Sequence, residues 1–163
     1  MLPDLIQPAD LNGFPGAPFS EQIARAGADT VRTLCEWHIA PVLTETVEIE
    51  TDGSGIILLP SLKIVTVDRV TDDDGRELTG WRVNKNRGVL RRASWPTTVI
   101  VDITHGYDTC PPALHAVIAD QAARIRAGIV AQENVGARSV SLRATSYPFL
   151  DAVLARYQLP KRP

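Results

Sequence analysis

Residues 97–114 read Thr97-Thr98-Val99-Ile100-Val101-Asp102-Ile103-Thr104-His105-Gly106-Tyr107-Asp108-Thr109-Cys110-Pro111-Pro112-Ala113-Leu114. The first half is rich in Val, Ile and Thr, side chains that suit a pleated strand. Gly106 and Asp108 are turn residues. Pro111-Pro112 then opens a helix, because proline in the first helical turn gives up no donor that the helix needs. One short stretch therefore passes from strand to turn to helix. Residues 42–104, which lead into it, read as sheet, and those just after it as helix.

Downstream, the pattern predicts a helix over 111–131. Leu114, Val117, Ile118, Ala122, Ile125 and Ile129 form its apolar face, and Asp120, Arg124 and Arg126 lie away from that face. Gly128 is a soft point near its end. Residues 132–148 carry no helical stripe, although Ser139 to Leu142 suits an extended segment. A short helix is predicted over 149–157, with Leu150, Val153, Leu154 and Tyr157 on one side. The tail, 158–163, contains Pro160 and Pro163 and cannot continue it.

Upstream, residues 42–104 alternate with period two in short runs separated by turn residues. About five or six antiparallel strands are expected. Asp72-Asp73-Asp74-Gly75 is the clearest hairpin turn, since Gly accepts positive φ and Asp bonds its own backbone. A first helix is predicted over 20–40. Ser20 caps it, Glu21 suits its positive end, and Pro41 stops it. Its stripe is Ile23, Gly27, Val31, Leu34 and His38. The small residues Ala24, Ala26, Gly27 and Ala28 would let another helix pack close. Residues 1–18 hold no period and read as an irregular arm that needs a neighbour to hold it. The order helix, sheet, helix, loop, helix makes the chain α+β: a small helical bundle with an inserted antiparallel sheet, in a single domain over 1–163.

Composition narrows the function. The 163 residues carry a net charge of −2, which argues against a protein that grips nucleic acid through its phosphates. No apolar run approaches the roughly 20 residues that span a bilayer. The start lacks the basic and apolar regions of a signal peptide. Cys35 and Cys110 sit in no CxxC or CxxH pattern. Buried free thiols are expected, with a disulfide between them as the alternative.

The sequence carries no active-site motif. His38, His105 and His115 have no metal-binding helical spacing, and HExxH is absent. His38 should face the negative end of the first helix. The Asp72 to Gly75 run lacks the ligand spacing and distal Glu of a calcium loop. No serine lies in GxSxG, and no glycine-rich loop cradles phosphate. Pairs such as Asp29/Glu36 and Asp102/Asp108 look like ordinary surface carboxylates. Arg82, Lys85, Arg87, Arg91 and Arg92 form a basic cluster beside Trp81 and Trp95, suited to an acidic partner, to DNA phosphate, or simply to solvent. No enzymatic activity, metal or cofactor is expected.

An ordered series of short motifs remains. Cys35-Glu36-Trp37-His38-Ile39-Ala40-Pro41 comes first, and Leu58-Leu59-Pro60-Ser61-Leu62 precedes Val65-Thr66-Val67. Asp73-Asp74-Gly75, Gly88-Val89-Leu90-Arg91-Arg92 and Trp95-Pro96 follow. Val101 to Tyr107 then leads into Cys110-Pro111-Pro112-Ala113-Leu114, and the series ends at Leu154-Ala155-Arg156-Tyr157-Gln158-Leu159-Pro160. Over residues 20–163 this series resembles the head-to-tail adaptor (connector) proteins of long-tailed bacteriophages, especially those of actinobacteria. The resemblance implies a virion protein, made in the host cytoplasm, that forms a ring of about twelve copies under the portal protein. A stopper or tail-completion protein would follow it, and DNA would pass through the channel without sequence-specific binding. No membrane is involved.

On that reading, Tyr157, Leu159, Pro160, Lys161 and Arg162 form a portal-docking arm, with Leu159 as apolar anchor and the two cations as charge contacts. Asp72, Asp73 and Asp74, with Arg87 and Arg91, would touch a neighbouring subunit or the next ring. A stopper or tail-completion protein is the alternative within the connector, although a compact β-barrel would not carry two long helices. A small hydrolase is the alternative from another class.

Overall fold

A computed structural model describes residues 3–133 and 148–160. The chain divides into two compact units and crosses between them at 36/37 and 108/109.

The first unit holds the helices. α1 spans Glu21–Cys35, and the Ile23 N–H donates to the Ser20 hydroxyl at 3.4 Å, the expected cap. α2 spans Pro112–Glu133 and α3 spans Pro148–Ala155. α1 packs against α2 through its smallest residues. A Cβ at Gly27 would lie 2.9 Å from the Ile118 carbonyl oxygen and 3.1 Å from the Ala122 Cβ. The buried face is therefore Ala24, Gly27, Ala28, Val31, Arg32 and Cys35. This corrects the predicted stripe: Leu34 is 41% exposed. Close backbone approach favours small residues at the contact and turns the larger ones to its rim.

α1 also ends sooner than expected. Glu36 takes left-handed φ of 64° and donates its N–H to the Arg32 carbonyl, closing the helix five residues before Pro41. His38 is thus not a helical residue.

The N-terminal segment packs on its own chain, where an irregular arm that needs a neighbour was expected. It contains a 3-10 turn, Pro8–Leu11, that contacts α1 and α2, and Leu5, Ile6, Leu11 and Phe19 are buried. Asp4 receives two hydrogen bonds from the Arg25 guanidinium at 2.9 Å, and Arg32 donates to the Pro3 carbonyl at 2.7 Å.

The second unit is antiparallel β-structure. Its six strands are β1 (Leu43–Glu50), β2 (Ile56–Leu58), β3 (Ile64–Asp72), β4 (Arg82–Asn84), β5 (Val89–Arg91) and β6 (Thr98–His105). They form two three-stranded sheets, ordered β1-β6-β3 and β2-β5-β4, where one inserted sheet was expected. β6 runs through the middle of the first sheet. Its Val99, Val101 and Ile103 are fully buried and share a core with Ile49, Ile57, Leu59, Ile64, Val70, Leu90 and Trp95. Strict alternation explains the other face: Thr98, Ile100, Asp102 and Thr104 are only half-buried. Among the described residues, no helix is long and apolar enough to cross a membrane.

Candidate partner interfaces

The end of the chain folds back on its own first helix. The Tyr157 N–H donates to the Leu154 carbonyl at 2.9 Å, in the turn that closes α3. The Gln158 amide then donates to the Leu34 carbonyl, and the Leu159 N–H to the Cys35 carbonyl, each at 3.1 Å. These carbonyls belong to the last turn of α1, which has no partners within the helix. Leu159 is half-buried and Pro160 exposed. Lys161 and Arg162 lie outside the described residues.

The predicted hairpin tip is a tight, self-satisfied loop. The Asp72 N–H donates to the Arg76 carbonyl at 3.0 Å, and the Asp72 carboxylate accepts the Arg76 N–H at 2.8 Å. Asp74 pairs with the Arg76 guanidinium at 3.2 Å. The carboxylates of Asp72, Asp73 and Asp74 come within 4.8 Å of one another. Two of the three are engaged by Arg76, so the loop's own structure accounts for the cluster.

The basic cluster divides into two kinds. Arg92 donates to the carbonyls of Thr79 and Ser94 at 3.0 and 2.8 Å and lies over the Trp95 ring, so it serves the fold. Lys85 likewise donates to the Val65 carbonyl. Arg82, Arg87 and Arg91 are exposed, with no acidic partner among the described residues. No hydrogen bond or ion pair joins Asp72, Asp73 or Asp74 to Arg87 or Arg91 among those residues.

A histidine pair escaped the sequence reading. The register of β1 on β6 sets Leu43 opposite His105, which places Glu45 one step along the same face. His105 Nε2 lies 2.8 Å from a Glu45 carboxylate oxygen, and the His38 ring stands edge-on to His105 at 4.5 Å between centroids. His38 Nε2 is 2.9 Å from the Pro41 carbonyl oxygen. Gly106, at φ 112°, admits this packing; a Cβ there would stand 2.6 Å from His38 Nε2. Burial lowers the His105 pKa below its ordinary 6.5, against the opposing pull of Glu45. A His–Glu pair can relay a proton. His105 itself is 1% exposed, whereas the Glu45 side chain is 46% exposed. The pair was invisible in sequence because 60 residues separate its members and only strand register joins them.

No family model matches the chain. No curated protein matches it either. Solved structures do share its fold. A chain of the "Virion of native gene transfer agent (GTA) particle" superposes with a TM-score of 0.56 at 16% identity, over 98% of this chain and 92% of that one. A chain of the "Neck of empty GTA particle computed with C6 symmetry" gives 0.54 at 17% identity, over 87% and 77%. The fold is shared with particle components. Coverage of 98% takes in both units, helical and β, so the likeness is not to a single common sheet motif.

Proposed function

We propose that this chain is a structural, non-enzymatic neck subunit of a phage-like particle: the head-to-tail adaptor, assembled as a ring of about twelve copies beneath the portal. The observation that carries the reading is the near-complete coverage of both chains in the likeness to the gene transfer agent virion. It supports the same role that the ordered motifs from Cys35 to Pro160 imply. His105 is buried in the β unit, and its carboxylate neighbour, Glu45, faces solvent, an arrangement that the structural reading accommodates.

On this reading the chain joins the virion at the head-tail interface after synthesis in the host cytoplasm. Its partners are the portal protein, a stopper or tail-completion protein, and other copies of itself. DNA passes through the ring, and a net charge of −2 suits a channel that does not grip phosphate. Tyr157, Leu159, Pro160, Lys161 and Arg162 dock on the portal. The Leu159 backbone is tied to Cys35, which fixes where the proposed arm leaves α1. The tip at Asp72, Asp73 and Asp74, with Arg87 and Arg91, faces a neighbouring subunit or the next ring.

Purified chain mixed with portal rings tests the proposal. Co-elution in gel filtration at a fixed ratio is expected. A chain that elutes separately from portal at every concentration would sink the adaptor reading.

A further inference from the structure

We infer that the basic row on the β2-β5-β4 sheet of one copy docks against the acidic outer face of the β1-β6-β3 sheet of the next. The inference rests on the ring reading above and names the surfaces that would close the ring.

The basic row follows from register. Ile56 pairs with Arg91, and Arg91 pairs with Arg82, so the three stand side by side across the sheet. Their neighbours Ile57 and Leu90 point the other way into the core. Arg82 and Arg91 are exposed, and Ile56 is 51% exposed. Two guanidinium groups directly opposite on adjacent strands repel one another. Neither finds a carboxylate among the described residues. An acidic surface laid over the row would relieve the repulsion and cover the isoleucine. That isoleucine favours a protein surface over a phosphate backbone, which gives an aliphatic side chain nothing to pack on.

The complementary surface is in the same chain. On the outer face of the first sheet, Glu48 and Glu50 of β1 are exposed, and Asp102 of β6 and Asp68 of β3 lie alongside. Threonine hydroxyls hold the two aspartates: Thr46 donates to Asp102 at 2.6 Å and Thr104 to Asp68 at 3.3 Å. Arg69, opposite Asp102, adds a single positive charge to that face. Glu48 and Glu50 have no cation partner among the described residues. Among the described residues, no ion pair joins the row to this face. Row against row, or face against face, would set like charges together. A two-fold dimer through either surface is thereby disfavoured, and the head-to-tail arrangement that closes rings is left.

Charge reversal tests the contact. Sedimentation at low salt should show concentration-dependent self-association of the wild-type chain that weakens as salt rises. Arg82→Glu with Arg91→Glu, and separately Glu48→Lys with Glu50→Lys, should each weaken it by about tenfold or more. An equimolar mixture of the two double variants should recover it, because each now presents the charge the other lacks. Circular dichroism checks that both variants fold. Wild-type chain that stays monomeric at every concentration, or variants that associate like wild type, would overturn the contact. So would loss of duplex DNA binding in the arginine variant with association untouched. Variants that still join portal rings as wild type does would sink this contact and spare the proposed function. Wild-type chain that fails to join portal would sink the function itself.

Discussion

The Leu159 backbone N–H donates to the carbonyl of Cys35 at 3.1 Å, fastening the end of the chain to the end of its first helix. With Gln158 on Leu34, this tie supplies partners to two carbonyls that the helix cannot satisfy itself. The segment proposed to reach the portal is therefore anchored on its own subunit up to Leu159, and its charges lie just beyond the anchor.

That arrangement separates stability from docking. Lys161→Ala with Arg162→Ala should leave the melting temperature unchanged and weaken binding to portal rings, most visibly at low salt. Deleting residues 158–163 should also cost stability, on the order of 1–2 kcal/mol for the two lost hydrogen bonds. Thermal melts and portal pull-downs on both variants check this.

Acid should destabilise the β unit through His105. Its folded-state pKa lies below the ordinary 6.5, so the unfolded chain binds the proton more readily. Stability is then full above about pH 6.5 and falls as the pH drops towards the folded-state value. His105 Nδ1 is buried with no hydrogen-bond partner among the described residues, so a proton placed there meets no acceptor among them. Glu45→Gln removes the group that favours the charged form and should steepen the acid loss. His105→Gln should flatten it. Urea denaturation between pH 5 and pH 8 measures the slope.

Gly27→Ala should destabilise the helical unit even though alanine is the better helix former. The gain of about 1 kcal/mol in helix propensity is opposed by a Cβ 2.9 Å from the Ile118 carbonyl oxygen and 3.0 Å from the Ala122 nitrogen. Both are backbone atoms that cannot rotate away. A net loss of about 1–3 kcal/mol is expected, read by chemical denaturation. A rise in stability would contradict the close α1–α2 packing.

Cys35 and Cys110 are free and buried, and burial pushes both thiols up to about 12. The thiolate is the reactive form. Native protein at neutral pH should resist a disulfide-exchange reagent, and denatured protein should release two equivalents at once. Rapid labelling of the folded chain would contradict the burial.

Local chemistry was legible in the sequence where it acts over a few residues. Ser20 caps α1, Pro112 opens α2, and the alternation in 42–104 gives strands, so the α+β class followed. Gly27 and its small neighbours announced a close helix contact. The end of α1 was not legible because the residue that takes the left-handed turn is Glu36, not a glycine or asparagine, and Pro41 is the louder signal. The division into two sheets, the Glu45–His105 pair and the Ile56–Arg91–Arg82 row all depend on register between strands distant in sequence. Leu5, Ile6 and Leu11 are buried without any periodicity to reveal them. The tail's tie to Cys35 spans 124 residues and left no local trace.

Electron cryomicroscopy of the chain mixed with its portal ring tests the central claim most directly. The account predicts a second ring of density, about twelve copies, seated on one face of the portal, with the segment after Leu159 reaching into it. Portal rings that remain bare at saturating chain, or chain bound singly without a ring, would contradict it.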